Sequence, residues 1–417
     1  MQTFGAFLAA LVATGCLAAA LPAESQGGFS VPVVRNTEAE TNGFAALQRT
    51  LNKFNMVMPS PDELREAATH SKVKTVDRLT TINDKRWTGH VATQPLAQDS
   101  MYITEVHIGT PAQKLRLDID TGSSDLWVFS TALPPDQVNG QRLYNPKRSQ
   151  SAKKLEGATW KIHYADQSGS SGDVYIDNVS IGGLRIKGQA VGAAKEVSRQ
   201  FTKTPDCDGL LGLAFSSLNT IRPKPQLTFL DTAKGHIKQS LFTANLNHHA
   251  NGTYNFGFID KKEHKGPITY TPVNNTQGFW GFSSPGYVID GVYYEQKVDS
   301  IVDTGTTLMY VPENIVDQYW LPIPGAILYW WSWAYLFPCD TKLPDFAYKV
   351  EGSMVTIPGE YLDHGFIGTL EGVRLCYGGL QSNRPLRGFS IHGDVALKSS
   401  LVVFDEGNMR LGFAPKL

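Results

Sequence analysis

The sequence predicts an all-β protein with two similar lobes. From residue 101 onward, apolar and polar residues alternate in runs such as 114–119 and 173–179, and Gly, Pro, Asn and Ser separate these runs, as strands and turns require. Segments with helical periodicity are short in this part and are expected at 225–233 and 317–320. One strand-and-loop unit also occurs twice, 183 residues apart, which predicts that the fold itself is duplicated.

Each copy of the repeated unit is an apolar strand that runs into Asp-Thr-Gly. The copies read Leu-Asp-Ile-Asp-Thr-Gly-Ser-Ser at 117–124 and Ser-Ile-Val-Asp-Thr-Gly-Thr-Thr at 300–307. An apolar pair, or its remnant, precedes a glycine about 90 residues after each copy, at Gly212 and Gly393. Because solenoid repeats are only 20 to 50 residues long, this spacing indicates two lobes and excludes a repeat array.

The composition excludes several classes of protein. The 417 residues include 38 Lys+Arg and 39 Asp+Glu, a net charge of −1, without any basic block, so the electrostatic footprint of a nucleic-acid binder is missing. Hydrophobic residues make up 41% of the chain, which excludes disorder for most of it. No CxxC, HExxH or zinc-spaced Cys/His cluster occurs, so we expect no metal and no other cofactor.

The first 20 residues are typical of a secretory signal peptide. Residues 1–20 form an apolar run that ends in small residues at Ala18 and Ala20. A membrane anchor is the alternative, but the apolar run is shorter than the ~20 residues of a span, and Pro22 follows it. No later segment is expected to cross a membrane, and no lipid anchor is expected at the C-terminus.

Residues 21–90 lack the Gly-rich strand pattern of the later sequence. Apolar residues between 44 and 54 have helical spacing, and Ser60 ahead of Pro61 suits the start of a second helix. The dibasic pair Lys85-Arg86 lies just before the change in composition. It is either a solvated turn or a processing site.

The cysteines predict one disulfide. Cys16 belongs to the expected signal peptide, which leaves Cys207, Cys339 and Cys376. In an oxidising compartment Cys339 and Cys376 would close a loop of 37 residues, which the chain-entropy model values at about 3 to 4 kcal/mol. Cys207 is then expected to be a free, buried thiol.

The duplicated aspartates predict a paired acid and base. A single Asp-Thr-Gly is a common turn, but two copies in matching apolar contexts would bring Asp120 and Asp303 together where the lobes meet. Carboxylates about 3 Å apart cannot both ionise cheaply, so they share a proton. One can then act as a base and the other as an acid.

These segments resemble the pepsin family of aspartic endopeptidases. The resemblance is carried by both Asp-Thr-Gly units, by 208–217 and by the C-terminal segment, and segments such as 343–346 and 376–383 are similar to the secreted fungal branch of penicillopepsin and aspergillopepsin. It implies an all-β, bilobal, pepsin-like acid protease fold with an N-terminal lobe at 91–265 and a C-terminal lobe at 266–417, with the active-site cleft between them.

The resemblance also implies a role for each residue of the repeats. Asp120 and Asp303 would activate a water that attacks the peptide carbonyl. Ser123 and Thr306 would bind the outer carboxylate oxygens, Thr121 and Thr304 would lock the two loops together, and Gly122 and Gly305 would allow the tight turns. Pepstatin should inhibit such an enzyme, and apolar residues should be preferred on both sides of the cut.

A β-hairpin flap is expected over the cleft. Tyr164 would close over the substrate and hydrogen-bond Trp127, and Asp166 would favour lysine immediately before the scissile bond. The family usually has glycine on either side of this aspartate, whereas Ala165 and Gln167 stand here. If those positions need positive φ, the tip of the flap must be reshaped.

Residues 21–90 resemble an inhibitory propeptide. Lys53 and Phe54 are the expected basic-aromatic pair that lies across the two aspartates at neutral pH and is released by acid. Maturation is expected between about Lys85 and Gln94. The alternative for Lys53 is an ordinary surface lysine, because residues 1–86 contain eight other basic residues.

The remaining expectations concern setting and departures from the family. Secretion, a monomer, protein and peptide substrates and glycosylation at Asn178, Asn251 and Asn274 are expected. His392 stands where an aliphatic residue is usual, and the aromatic stretch 327–337 is either core or the wall of a subsite. A catalytically silent peptide-binding protein and a vacuolar or wall-attached protease are the alternatives for function.

Overall fold

The computed structural model describes residues 27–36, 42–77, 79, 99, 101–163 and 169–417. These residues form three β-sheets and six short α-helices, which confirms the predicted all-β class. No helix in the described ranges is long and apolar enough to cross a membrane. The expected signal peptide at 1–20 and the expected processing region at 85–94 lie outside the described residues.

The first sheet has 13 strands drawn from both halves of the chain. They are β1 (Phe29–Arg35), β3 (Tyr102–Ile108), β4 (Gln113–Asp120), β5 (Leu126–Val128), β6 (Lys153–His163), β7 (Gly169–Ile181), β8 (Leu184–Glu196), β9 (Gly209–Gly212), β10 (Leu241–Asn247), β11 (Ala250–Phe256), β12 (Thr269–Pro272), β24 (Ser400–Asp405) and β25 (Arg410–Pro415). Their order is β12-β25-β24-β10-β11-β1-β3-β4-β9-β5-β8-β7-β6. The sheet therefore runs across the lobe boundary expected at 265/266.

The other two sheets belong mainly to the second half of the chain. The seven-stranded sheet contains β13 (Gly281–Ile289), β14 (Val292–Val302), β15 (Met309–Val311), β18 (Phe346–Val350), β19 (Ser353–Ile357), β22 (Leu380–Ser382) and β23 (Ser390–His392). The five-stranded sheet has the order β2-β16-β17-β21-β20 and consists of β2 (Lys74–Val76), β16 (Ile327–Tyr329), β17 (Ala334–Pro338), β20 (Asp363–Leu370) and β21 (Val373–Gly378).

The sequence predicted some of the six helices of the structure and not others. They are α1 (Gly43–Lys53), α2 (Pro61–Ala68), α3 (Arg199–Thr202), α4 (Phe229–Ala233), α5 (Glu313–Trp320) and α6 (Asp394–Leu397). The Ser60 side chain accepts a hydrogen bond from the Glu63 backbone while the Glu63 carboxylate accepts one from the Ser60 backbone, and Pro61 follows. This capping box fixes the start of α2 where the sequence predicted it.

The strand pairing confirms the duplication. β4 pairs parallel with β9, β9 pairs antiparallel with β5, and β5 pairs parallel with β8. In the second half, β14 pairs parallel with β23, β23 antiparallel with β15, and β15 parallel with β22. Because the two sets have the same directions and order, the aspartate at the end of β4 and the one after β14 occupy equivalent places.

Strand β1 is the main element that the sequence analysis missed. Val31 and Val33 point into the core with the alternation typical of a strand, but Pro32 lies between them and counts against a paired strand. In the structure β1 pairs with both β11 and β3, so it is an inner strand of the 13-stranded sheet. Residues 21–90 are thus built into the fold through β1 as well as through α1 and α2.

The predicted cysteine chemistry is confirmed. Cys339 and Cys376 form a disulfide that joins the start of one loop to β21 of the five-stranded sheet. Cys207 is a free and buried thiol, and burial raises the pKa of this thiol to about 12. In the aromatic stretch, residues 333–337 are buried and form core, whereas Trp331 is 38% exposed.

His392 is a buried imidazole behind the second Asp-Thr-Gly loop. Its ring lies 5.1 Å from the ring of Phe282 and 4.5 Å from that of Tyr348, and its backbone carbonyl accepts a hydrogen bond from the Asp303 amide. Neither ring nitrogen has a hydrogen-bond partner among the described residues. Burial lowers the pKa of His392 to about 3, because a charged imidazole in this aromatic site would be poorly solvated.

We predict that His392→Leu makes the fold less sensitive to acid. The folded state holds the imidazole neutral, so its contribution to stability is complete above the unfolded pKa of about 6.5 and is lost as the pH falls towards 3. Between pH 6.5 and 4.5 the wild type should lose about 2 to 3 kcal/mol that the variant keeps. Urea unfolding at both pH values, in the Asp120→Asn background to prevent self-cleavage, measures this, and His70→Leu at an exposed site is the control. An identical pH response of His392→Leu and its parent would contradict the prediction.

Candidate active site

The two Asp-Thr-Gly loops meet between the lobes. Asp120 ends β4 and Asp303 follows β14, and both are completely buried. A Cβ placed on Gly122 would lie 2.5 Å from Asp303 Oδ1, and one placed on Gly305 would lie 2.4 Å from Asp120 Oδ1. Glycine at each position therefore lets the loop approach the opposite carboxylate.

Each carboxylate is held by its own loop in the same way. The Gly122 amide donates to Asp120 Oδ1 over 2.8 Å, and the Ser123 hydroxyl donates to Asp120 Oδ2 over 2.6 Å. In the second loop, the Gly305 amide donates to Asp303 Oδ1 over 3.0 Å and the Thr306 hydroxyl donates to Asp303 Oδ2 over 2.5 Å. These donors fix the plane of each carboxylate and favour its charged form.

Two threonines connect the loops across the junction. The Thr121 hydroxyl donates to the Val302 carbonyl over 3.0 Å and accepts a hydrogen bond from the Thr304 amide. The Thr304 hydroxyl donates to the Ile119 carbonyl over 2.6 Å and accepts one from the Thr121 amide. Because each threonine binds the strand that carries the opposite aspartate, the distance between the two carboxylates depends on both.

Lys53 lies directly on the two aspartates. Its ammonium is 2.5 Å from Asp120 Oδ1 and 2.7 and 2.9 Å from the two oxygens of Asp303. The next residue, Phe54, packs against the rings of Phe279 and Phe389 at centroid distances of 5.6 and 5.1 Å. The C-terminal end of α1 thus places a cation between the carboxylates and an aromatic ring beside them.

The charges in this cluster shift the pKa values in opposite directions. Burial raises the pKa of Asp120, but the attraction of Lys53 and the hydrogen bonds from Lys53 and Ser123 outweigh burial and lower it. At Asp303, by contrast, burial outweighs the attraction of Lys53 and, together with the charge of Asp120, raises the pKa. The pKa of Lys53 is raised, because the two carboxylates outweigh its burial. The unequal pKa values suit one acid and one base.

The sequence analysis missed a third carboxyl, that of Asp118. This residue lies two positions before Asp120 in β4 and lines the same cavity as Lys53, Trp127 and Cys207. Burial, with the nearby charge of Asp120, raises the pKa of Asp118 well above its usual value. The signal in the sequence was an aspartate between two apolar residues, Leu117 and Ile119, in the buried end of β4.

The flap is only partly described. Tyr164 and Asp166, with the unusual Ala165 and Gln167, lie outside the described residues, and their expected roles stay predictions. Trp127 is fully buried, stacks on Trp160 with centroids 5.4 Å apart, and its indole nitrogen has no partner among the described residues. The base of the flap, formed by β6 and β7, pairs from Lys153 to His163 along the edge of the first sheet.

A second charged cluster surrounds the buried Asp99. Arg35 of β1 is 2.8 Å and Lys398 is 3.0 Å from its carboxylate, and the rings of His248 and His249 lie 3.1 and 3.5 Å away. One carboxylate and two histidines at such distances resemble a set of metal ligands. Two cationic side chains already compensate Asp99, so the cluster has no excess negative charge to attract a divalent cation.

The three expected glycosylation sites differ in exposure. Asn274 is exposed in a loop, where its side-chain oxygen accepts hydrogen bonds from Thr276. Asn251 is exposed near the tip of the β10–β11 hairpin, and its side-chain oxygen accepts a hydrogen bond from the Arg35 amide. Asn178 is half-buried in β7, and its amide nitrogen donates to Thr110. Asn251 and Asn274 are thus more accessible than Asn178.

Two buried aspartates at equivalent strand ends, joined across a junction between lobes, are the arrangement expected of an aspartic protease. Residues 101–416 match the family model of eukaryotic aspartyl proteases, and the chain belongs to that family. It is 46% identical over 400 residues to endothiapepsin of Cryphonectria parasitica, covering 95% of this chain and 92% of that protein. It is 43% identical over 401 residues to penicillopepsin-1 of Penicillium rubens, covering 95% of this chain and 94% of that protein. It is 41% identical over 421 residues to aspergillopepsin-1 of Aspergillus fumigatus, and both chains are covered in full. The expected bilobal, pepsin-like fold is confirmed.

We predict that Asp120→Asn and Asp303→Asn each abolish proteolysis. If the carboxylates perform separate halves of one acid-base step, kcat should fall by several orders of magnitude in either variant. Digestion of denatured haemoglobin at pH 3 to 5 measures this, and circular dichroism shows whether the fold persists. Asp136→Asn, at an exposed position, is the matched control. A folded Asp303→Asn protein with a tenth of the wild-type activity would rule out the assignment.

Proposed function

We propose that this chain is the inactive precursor of a secreted aspartic endopeptidase that works in acid. The family membership supports peptide-bond hydrolysis. The observation that carries the finer proposal is the ammonium of Lys53 within 2.9 Å of both buried carboxylates. A water activated by this pair would need the same position, so the precursor and the working enzyme differ in what lies between Asp120 and Asp303.

In the proposed reaction the two aspartates divide the proton transfers. The charged carboxylate accepts a proton from water as the water attacks the peptide carbonyl, and the protonated carboxyl stabilises the tetrahedral species and supplies a proton that reaches the leaving nitrogen. Ser123 and Thr306 keep the carboxylates in plane, and Thr121 and Thr304 hold the two loops at a fixed distance. No covalent enzyme intermediate is needed.

Residues 21–90 are proposed to be the inhibitory segment, with lobes at 91–265 and 266–417. The ion pairs of Lys53 persist while the aspartates are charged, and they weaken as the pH falls through the pKa values of these carboxyls. Acid would therefore loosen the end of α1 from the cleft. Cleavage between about Lys85 and Gln94 would then release the segment.

The experiment that tests this proposal is acid proteolysis with a defined N-terminus. The secreted protein is sequenced from its N-terminus and assayed on denatured haemoglobin between pH 3 and 6, with and without pepstatin. Pepstatin-sensitive activity from a chain that starts between residues 85 and 94 is expected. An active chain that starts near Leu21 would remove the precursor proposal, and binding of peptides without cleavage would favour the catalytically silent alternative.

We predict that Lys53→Gln lets the precursor convert at a higher pH. Glutamine has a similar reach but no charge, so the segment loses its ion pairs with Asp120 and Asp303. The pH at which half of the precursor is processed should rise by about one unit or more. Lys72→Gln, at an exposed lysine of the same segment, is the control. If both variants convert at the wild-type pH, Lys53 does not hold the segment in place.

Asp166 is proposed to support cleavage after lysine. Two peptides that differ only by Lys or Leu immediately before the cut are compared on the wild type and on Asp166→Ala near pH 5. A selective loss of activity on the lysine peptide, seen in kcat/KM, is expected because the carboxylate would pair with the ammonium. Equal losses on both peptides would show that Asp166 serves the flap conformation instead.

A further inference from the structure

Part of residues 21–90 covers a strip of aromatic side chains far along the chain. We call Tyr329, Trp330, Trp331 and Tyr377 the aromatic strip. The ring of Phe44 in α1 lies 5.8 Å from that of Tyr329 and 5.3 Å from that of Tyr377. Tyr377 is 1% exposed and lies directly under the start of α1, since a Cβ on Gly43 would be 2.1 Å from its ring.

Helix α2 and strand β2 cover Trp330 and the strand that carries Tyr329, whereas Trp331 is 38% exposed. The guanidinium of Arg65 lies 5.5 Å from the ring centroid of Trp330, and Trp330 stacks on Trp331 with centroids 4.3 Å apart. Beside the rings, β2 pairs parallel with β16, with Lys74 opposite Ile327 and Val76 opposite Tyr329. The Trp330 amide also donates to the Val76 carbonyl over 3.3 Å.

Removal of residues 21–90 would leave this surface open. β2 is the outer strand of its sheet, so β16 would become an edge with unpaired backbone groups. Trp330, now 9% exposed, and Tyr377 would lose the side chains that cover them. Contiguous exposed apolar surface beside an open strand edge is the usual property of a binding surface for an extended chain.

We propose that in the matured enzyme the aromatic strip and the free edge of β16 bind an extended segment of the protein substrate, outside the catalytic cleft. The seated segment shows the chemistry that fits: a strand with a β-branched residue opposite Tyr329, and an arginine or lysine that lies over Trp330. The proposal rests on the proposed removal of residues 21–90, because the same surface is occupied in the precursor.

The length of α1 sets the reach that a substrate needs. This helix has 11 residues and runs from Gly43 on Tyr377 to Lys53 between the aspartates. At 1.5 Å per residue the two points are about 15 Å apart. An extended chain advances about 3.3 Å per residue, so it needs about five residues beyond the cut to reach the strip. Short peptides should not benefit from this surface, whereas longer chains should.

The test uses matured enzyme whose N-terminus has been sequenced and three peptides with one cleavable core. One peptide is short, and the other two carry a ten-residue extension with Arg and Val at either the N-terminal or the C-terminal side. We expect one extension to lower KM several-fold with little change in kcat. The variant Trp330→Ser/Trp331→Ser should lose this gain and keep wild-type kcat/KM on the short peptide. Val292→Ser, at an exposed apolar position of the β13–β14 turn, is the matched control and should keep the gain.

A competing peptide gives a readout that does not depend on folding of the variant. A peptide of residues 60–77 lacks Lys53 and Phe54, so it should inhibit hydrolysis of the extended substrate and spare the short one. Its Val76→Pro version, which cannot donate a hydrogen bond to β16 from that residue, should inhibit more weakly. Equal effects on short and extended substrates, or a mature enzyme that sediments as a dimer through the strip, would overturn the proposal. A matured wild type that does not cleave the short peptide would instead count against the proposed catalytic function.

Discussion

The rest of the structure depends on two carboxylates that share one buried place. Asp120 and Asp303 are both inaccessible to water, and uncompensated charge there would be strongly destabilising. The structure compensates it with backbone amides, hydroxyls and the Lys53 ammonium. A proton shared by the two carboxyls could provide this compensation in a form of the protein without Lys53. Such an exchange would link the proposed removal of residues 21–90 to the shared proton of the proposed hydrolysis.

The duplicated frame explains how such a pair can be built. Asp120 ends β4 and Asp303 follows β14, and each of these strands is held by a parallel neighbour, β9 for β4 and β23 for β14. Strand β9 ends in Gly212, and Gly393 follows β23. A Cβ at either glycine would collide with the backbone of the neighbouring Asp-Thr-Gly loop. Two rigid copies of one unit, tied by reciprocal threonine hydrogen bonds, position the carboxylates more accurately than two unrelated loops would.

The repeat was readable from the sequence because it lies in consecutive residues with a strict pattern. The paired aspartates and the helix cap at Ser60 follow from local patterns, whereas the roles of the Ser123 and Thr306 hydroxyls were implied by the resemblance to the pepsin family. Strand β1 could not be predicted from its own residues, because Pro32 argues against a paired strand. It is a paired strand only because β3 and β11 lie on either side of it. The cluster at Asp99 joins residues 35, 248, 249 and 398, and no local pattern relates such distant positions. The aromatic stretch 327–337 was ambiguous for a similar reason: its covering residues lie some 260 positions earlier in the chain.

Through Arg35 and the Asp99 cluster, the attachment of strand β1 depends on pH. Burial alone would raise the pKa of Asp99, but His248, Lys398 and the His249 amide lower it strongly, so the carboxylate keeps its charge in acid. The imidazole of His249 behaves differently. Burial is the largest cause that lowers the pKa of His249, and the charges of His248, Arg35 and Lys398 lower it further against the attraction of Asp99. Because linkage is reciprocal, departure of Arg35 would raise this pKa, and protons would therefore favour a state in which β1 has left. Acid would thus act in the same direction at two places in residues 21–90, on the carboxylates that hold Lys53 and on the His249 imidazole, whose charge Arg35 opposes.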